Sequence, residues 1–257
     1  MLLSLTFALI TSASAVEIPI SAVRPHGADA FELLERLQPR RFFGLAADAA
    51  PKLSVYRRVS ESDAEHAQMQ SLPDTETLNQ LFAKIRDRRF LRSDSDFPRR
   101  PSWMFPDDGC FARAEVASQE LIKAGYKPSK IFAYGNLRIE TKNSQSGFVE
   151  WWYHVVVGYR IGAINYVIDP AIEPSRPIEI KEWINRMKAE PEARVEVSIC
   201  ESAAITPSSL CQGEQDYGLD YAKELQEPFL DSEWSRLLDL KRDPKIELGV
   251  KPPWIQN

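Results

Sequence analysis

Cysteine and histidine are scarce in this chain, with three of each in 257 residues. No CxxC pair, HExxH, GxxxxGK or GxGxxG pattern occurs, so zinc-ligand spacing, a phosphate cradle and a dinucleotide fingerprint are all missing. No metal and no cofactor are expected. Positive charge is also lacking: a net charge of -5 offers little to neutralise phosphates, which excludes a general nucleic-acid binder. The local basic run RDRRFLR at 86–92 reads as a solvated helix end. Beyond the start of the chain no stretch stays apolar for the roughly 18 residues that a membrane span needs, and there is no internal repeat or low-complexity tract. What is present is 44% apolar and 27% charged residues, enough to build one large domain or a domain with an appended segment.

The chain begins MLLSLTFALITSASAVEIP, an apolar run followed by Ala13-Ser14-Ala15 in the small-x-small form of a signal-peptidase site. Residues 1–15 therefore read as a signal peptide, and the rest as a secreted or periplasmic protein with no membrane span. A buried N-terminal strand or helix is the alternative, since only the terminal amine supplies positive charge. Export changes the meaning of the cysteines. Cys200 and Cys211 flank the loop-like ESAAITPSSL and can close a short disulfide loop in an oxidising compartment. Cys110 is left unpaired, either as an inert core thiol or as a nucleophile.

Periodicity organises the remainder. A helix is predicted from Asp29, where Asp29-x-x-Glu32 resembles a capping box, to just before Pro39. LSVYRRVS at 53–60 alternates like a half-buried strand. The polar connector SESDAEHAQMQSLPD then reads as an exposed, cleavable boundary. A second helix opens at Asp74 or Thr75 and aligns Leu78, Leu81, Phe82 and Ile85. The proline-punctuated RSDSDFPRRPSWMFP leads to a third, which runs from Cys110 with Ala114, Ala117, Leu121 and Ala124 turned inward and Gly125 as its cap. IFAYGNL follows as a strand, and VEWWYHVVVGYRIGAINYVIDP as two strands joined near Gly162-Ala163. A helix over KEWINRMK packs Ile180, Trp183, Ile184 and Met187, and a last helix after Pro228 carries Trp234, Leu237 and Leu238.

The chemistry centres on PDDGCFARA at 106–114. A cysteine at a helix N-terminus faces unsatisfied N–H groups, whose partial positive charge favours the thiolate. It also needs a base held by a third group. His26 and His66 lie in the irregular N-terminal region, whereas His154 interrupts the strand WWYHVVVGY, as a hydrogen-bonded core histidine or as a site residue. If Gly162-Ala163 is a two-residue turn, opposed residues sum to 325. Val156 then faces Asp169, and His154 lies one diagonal step from that carboxylate on the same face. An odd-length loop would separate them. Pro170 tends to end the strand there and leaves Asp169 at its rim.

DGCFARA, GYKPSKIFAYGNL, WWYHVVV and YVIDP, in this order, resemble the bacterial protein-glutaminase (protein glutamine deamidase) family, relatives of the transglutaminase and papain-like cysteine enzymes. The similarity runs from TLNQLF at 77 to the IDP at 168–170, with weaker support up to Trp183. It implies an α+β fold: a papain/transglutaminase-like core with the nucleophile at a helix N-terminus packed on an antiparallel sheet that carries His and Asp. By the resemblance Cys110 is the nucleophile, His154 the base and acid, and Asp169 the orienting carboxylate. The implied reaction is hydrolysis of protein or peptide glutamine to glutamate with release of ammonia through a thioester, and the backbone N–H of Cys110 is an oxyanion donor. Transglutaminase-like transfer to an amine and cleavage of the main chain share that thioester step, and a non-catalytic binding or inhibitory domain could retain the fold.

Trp151, Trp152 and Tyr134 line an apolar channel for the glutamine methylenes or belong to the core. Glu115 stands where the family often has histidine, and cysteines are fewer than in disulfide-rich relatives. The family is typically made as a zymogen, so 16–71 becomes a pro-segment or N-terminal lid, with a permanent subdomain as the alternative, and 72–257 the catalytic domain. A monomer is expected.

Overall fold

A computed structural model describes residues 21–37, 58–89, 98–207, 211, 216–249 and 252–255. The signal-peptide reading of 1–15 and most of the predicted strand at 53–60 lie outside these residues. In chain order the elements are α1 (Ala30–Leu37), β1 (Val59–Ser60), α2 (Glu61–His66), α3 (Thr75–Arg86), α4 (Cys110–Lys123), β2 (Ser129–Glu140), β3 (Phe148–Ile161), β4 (Ile164–Ile168), β5 (Ile178–Glu179), α5 (Ile180–Met187), β6 (Val195–Cys200), α6 (Gly218–Asp239) and α7 (Pro244–Glu247). The strands form one antiparallel sheet in the order β1-β6-β2-β3-β4-β5, so the fold is α+β. No helix among the described residues is long and apolar enough to cross a membrane.

Capping explains where the early helices begin. Asp29 accepts from the amides of Phe31 and Glu32, and Asp74 caps α3 through the Thr77 amide at 2.8 Å. Leu78, Leu81, Phe82 and Ile85 are buried on the expected stripe of α3, as are Ile180, Trp183, Ile184 and Met187 on α5. The turn between β3 and β4 has the even length that the arithmetic requires. Ile161 pairs with Ile164 and Val157 with Ile168, and Gly162 takes φ +58° at the tip.

Five expectations need correction. First, α4 is buried on every side from Cys110 to Leu121, because it is packed between β3 and α6, and an amphipathic reading could not anticipate two partners. Second, α6 does not begin after Pro228 but runs through it. Proline removes one N–H from the helix interior, and buried Leu225, Gln226, Leu230, Glu233 and Leu237 on both sides hold the helix together, with Leu238 exposed. Third, β6 was not anticipated, yet it joins β2 to β1. Fourth, the basic run is engaged. Arg86 lies over the rings of Phe82 and Trp254 and donates to the Pro174 carbonyl, Arg88 pairs with Glu120, and Arg89 donates to the Gly249 carbonyl. Arg92 lies outside the described residues.

The fifth correction concerns the connector. Its centre is α2, capped by Ser60, with Ala64 wholly buried. The Asn165 amide donates to the carbonyls of Ala64 and Ala67, and the Arg160 backbone bonds both Gln70 and Leu72. Small apolar side chains and backbone groups make these contacts, so the segment is ordered against the sheet, while Ser60, Ser62, Asp63, His66, Gln68, Gln70 and Ser71 are exposed as its polar composition suggested.

Candidate active site

The loop that enters α4 is fixed through its backbone. Arg113, one turn into α4 and buried, directs Nη1 at the carbonyls of Ser102, Phe105 and Asp108 at 3.3, 3.0 and 2.9 Å. The Trp151 indole donates to the carbonyls of Pro106 and Asp107 at 3.1 and 3.0 Å. Gly109 then turns the chain into the helix with φ +79°. A Cβ at this position would fall 2.5 Å from the Phe229 ring, so glycine is required both by the left-handed backbone and by space. Asp108 Oδ1 accepts from the Gly109 and Ala22 amides at 2.7 and 3.1 Å. Cys110 thus occupies the first position of α4.

The hairpin brings His154 and Asp169 together. His154 Nε2 lies 2.8 Å from Asp169 Oδ2, the same oxygen accepts from Trp183 Nε1 at 2.9 Å, and the Ala171 amide reaches Oδ1 at 3.3 Å. Both side chains are buried. Burial alone would raise the Asp169 carboxyl, but His154, Trp183 and Arg113 outweigh it and hold it below the ordinary value. A carboxylate accepts, so Nε2 donates and the neutral ring keeps its lone pair on Nδ1. Nδ1 is buried without a hydrogen-bond partner. The imidazole sits between two indoles, stacked on Trp151 with centroids 4.7 Å apart and tilted to Trp183 at 5.8 Å.

Cys110 meets β3 at a gap in its edge. The last β3–β4 pair is Val157 with Ile168, and from Trp152 backward the edge bonds the segment Ala22–Arg24 instead, through Trp152 N to Ala22 O and Arg24 N to Glu150 O, both 3.1 Å. Between them the Val155 N–H is hydrogen-bonded to the Cys110 thiol, as is the Tyr153 hydroxyl. The thiol therefore lies against the residue that follows His154, without engaging Nδ1. Burial pushes it up to about 12, against the smaller downward pull of Arg113. The thiolate expected from the helix N-terminus is thus not favoured in this state, because desolvation outweighs the partial charge of the helix.

Residues 21–24 lie along the same strand edge and touch the loop before Cys110 through the Ala22 amide and Asp108. Trp152 donates its indole N–H to the Ser21 carbonyl at 2.8 Å, and Arg24 pairs with Glu150 at 2.7 Å. An open cleft of about 530 Å³ continues beside this strand between Asp107, Phe148, Glu150 and Arg236. Of the channel candidates, Trp151 stacks on His154, Trp152 lies beneath Ser21, and Tyr134 is a core side chain bonded to Ser198 and stacked on Phe132. Glu115 is buried in an ion pair with Lys130 and accepts from Gln119. His26 and His66 stand apart from the site: His26 is exposed in a turn, and His66 ends α2 with its carbonyl on Arg160. A disulfide joins Cys200 and Cys211, and Cys110 is free.

Sequence reasoning missed Arg113, Tyr153 and the indole of Trp183 as members of this site. Trp183 read as one of four core positions on its helix, and only the fold shows that its N–H faces Asp169.

Residues 78–187 match the model of the family described as Glutaminase. Among solved structures, the chain is 27% identical to a pro-protein-glutaminase with a TM-score of 0.50, covering 63% of this chain and 59% of that one. A protein-glutaminase crystal structure is 30% identical with a TM-score of 0.41, covering 51% and 75% respectively. The protein-glutaminase of Chryseobacterium proteolyticum, solved by NMR, is 28% identical with a TM-score of 0.39, covering 50% and 73%. The chain thus spans 59% of the length of the pro-protein-glutaminase. No curated protein matches it.

Proposed function

We propose, proceeding from a chain that belongs to the protein-glutaminase family, that its site hydrolyses glutamine side chains of proteins or peptides to glutamate and ammonia. The observation that carries this reading is the ordered series Asp169 Oδ2, His154 Nε2 and a buried, unpartnered Nδ1, with the Cys110 thiol hydrogen-bonded to the next residue along β3, Val155. In the open enzyme Nδ1 takes the proton of Cys110, and the thiolate attacks the side-chain carbonyl carbon. The oxyanion forms at the start of α4, where the Cys110 N–H is available to it. Imidazolium then protonates the leaving nitrogen, which departs as ammonia and leaves a thioester. His154 next removes a proton from water, hydroxide adds to the thioester, and the thiol is regenerated with glutamate as product. Asp169 and Trp183 keep the ring in the tautomer that both steps need.

The described state is the latent one. Residues 21–37 belong to a pro-segment that lies on the β3 edge and shuts Cys110 from water, and the segment to be removed ends upstream of Arg58. The disulfide and the apolar start of the chain support export to an oxidising compartment.

Ammonia release from a glutamine-containing protein by the chain freed of its pro-segment, with the mass of the substrate's peptides read before and after, tests the reaction. A gain of about one dalton at glutamine that disappears in Cys110→Ala is expected. Amine incorporation in its place would make the enzyme a transglutaminase, and new peptide termini would make it a protease.

A further inference from the structure

We infer that Glu233, on α6 and outside the family match, is a positioning residue for the nucleophile, acting on the loop before Cys110 through the Met104 amide. This rests on the assignment of Cys110 as nucleophile. Glu233 is fully buried; Oε1 accepts the Met104 N–H at 2.7 Å, and Oε2 is buried with no hydrogen-bond partner. It does not act alone. Gln226 donates to Ser102 Oγ at 2.9 Å, Phe229 lies under Gly109, and Arg236 pairs with Asp107. Positions 226, 229, 233 and 236 follow one face of a helix, so a single stripe of α6 touches Ser102, Met104, Asp107 and Gly109. Arg113 from α4 and Trp151 from β3, both within the family-matched segment, hold the same loop from the other side.

Three cations face the carboxyl: Arg113 from α4 and Arg99 and Arg100 from the loop. Their pull is downward, but burial dominates and raises the group to about 8. On its own helix Arg236 is committed to Asp107, and Arg242, which reaches the Met104 sulfur, is committed to Glu247. At neutral pH Glu233 is therefore mostly a neutral acid that accepts one amide. Above about 8 it becomes a buried anion with one unpartnered oxygen, and the loop must shift to solvate it.

Hydrogen–deuterium exchange of the full chain, read on peptides covering 102–110 and corrected for intrinsic rates, tests this without reference to activity. In the wild type, protection of the loop is expected to fall between pH 7 and pH 9. Glu233→Gln keeps the acceptor without the charge and should stay protected at both values. Glu233→Ala should be unprotected at both; if it does not fold, the wild type against Glu233→Gln decides alone. Equal pH dependence in wild type and Glu233→Gln overturns the inference, as does full protection in a folded Glu233→Ala. In the deamidation assay, run on wild type and variant both freed of the pro-segment, a folded Glu233→Ala should lose kcat by about tenfold or more with KM unchanged, as misplacement of a reacting group does. Unchanged kcat in that variant also overturns it. Absence of ammonia release from the wild type after removal of its pro-segment would count against the proposed reaction and leave the exchange result standing.

Discussion

At Asp169 a single oxygen, Oδ2, receives two N–H donors, one from the imidazole and one from Trp183. A hydrogen bond to a charged group contributes about 1.5–3 kcal/mol. Trp183→Phe removes one while keeping an aromatic beside the ring, so kcat for ammonia release should fall by roughly ten- to a hundredfold with KM little changed. The sign of the pH effect follows from the carboxyl being held below its ordinary value. Its contribution to stability is full above the unfolded carboxylate range and is lost as pH falls through the depressed folded value. With one donor gone that value rises, and the acid limb of a pH–rate profile should move to higher pH. A second prediction at this scale concerns the sulfur. A thiol pushed up to about 12 is ionised in roughly one molecule in ten thousand at pH 8. Iodoacetamide at pH 8 should leave Cys110 of the full chain unlabelled, with one adduct by mass after denaturation. Rapid labelling of the native chain would contradict the burial that sets the shift.

Elements place these residues, and the clearest case is the turn into α4. Gly109→Ala adds a Cβ 2.5 Å from the Phe229 ring at φ +79°, and overpacking with a strained backbone costs about 2–4 kcal/mol. The variant should melt lower by about 10 °C or less and lose most of its ammonia release. The sequence made this turn legible, because Pro-Asp-Asp-Gly before a small-residue helical stripe has few other readings. It made the hairpin legible as well: a two-residue turn fixes the register, and the register fixes the face shared by His154 and Asp169. What it did not reveal depends on partners distant in the chain. Trp183 looks like any core position until α5 packs on the sheet, Arg113 looks like a surface charge until loop 102–108 closes over it, and Pro228 looks like a helix start until buried neighbours on both sides are counted. Strand β6 escaped because its pairing with β2, rather than its own composition, defines it.

At the scale of the whole molecule the question is where the cover ends and the enzyme begins. The family resemblance put the boundary at residue 71, but β1 pairs with β6, Lys188 bonds Glu61, and Gln70 and Leu72 bond Arg160, so residues 58–71 are built into the sheet and its helices. Residues 21–24 are held differently, by two backbone bonds on an otherwise open strand edge, the Asp108 and Trp152 contacts and the Arg24–Glu150 pair. That pair is partly buried, 12% and 29% exposed, but the strand bonds only the β3 edge and stands outside the sheet's six strands, so it can leave without dismantling the sheet. A chain beginning at Arg58 should therefore fold, expose Trp152 and the β3 edge, react with iodoacetamide at Cys110 and release ammonia from protein glutamine. A chain beginning at Leu72 also loses buried Ala64 and Met69 and the β1–β6 pairing. That loss is worth about 3 kcal/mol or more, and its melting temperature should fall by about 10 °C relative to the longer form. Equal stability of the two truncated chains would return the boundary to residue 71, and an Arg58 chain whose Cys110 stays unlabelled would show that something other than residues 21–57 covers the sulfur.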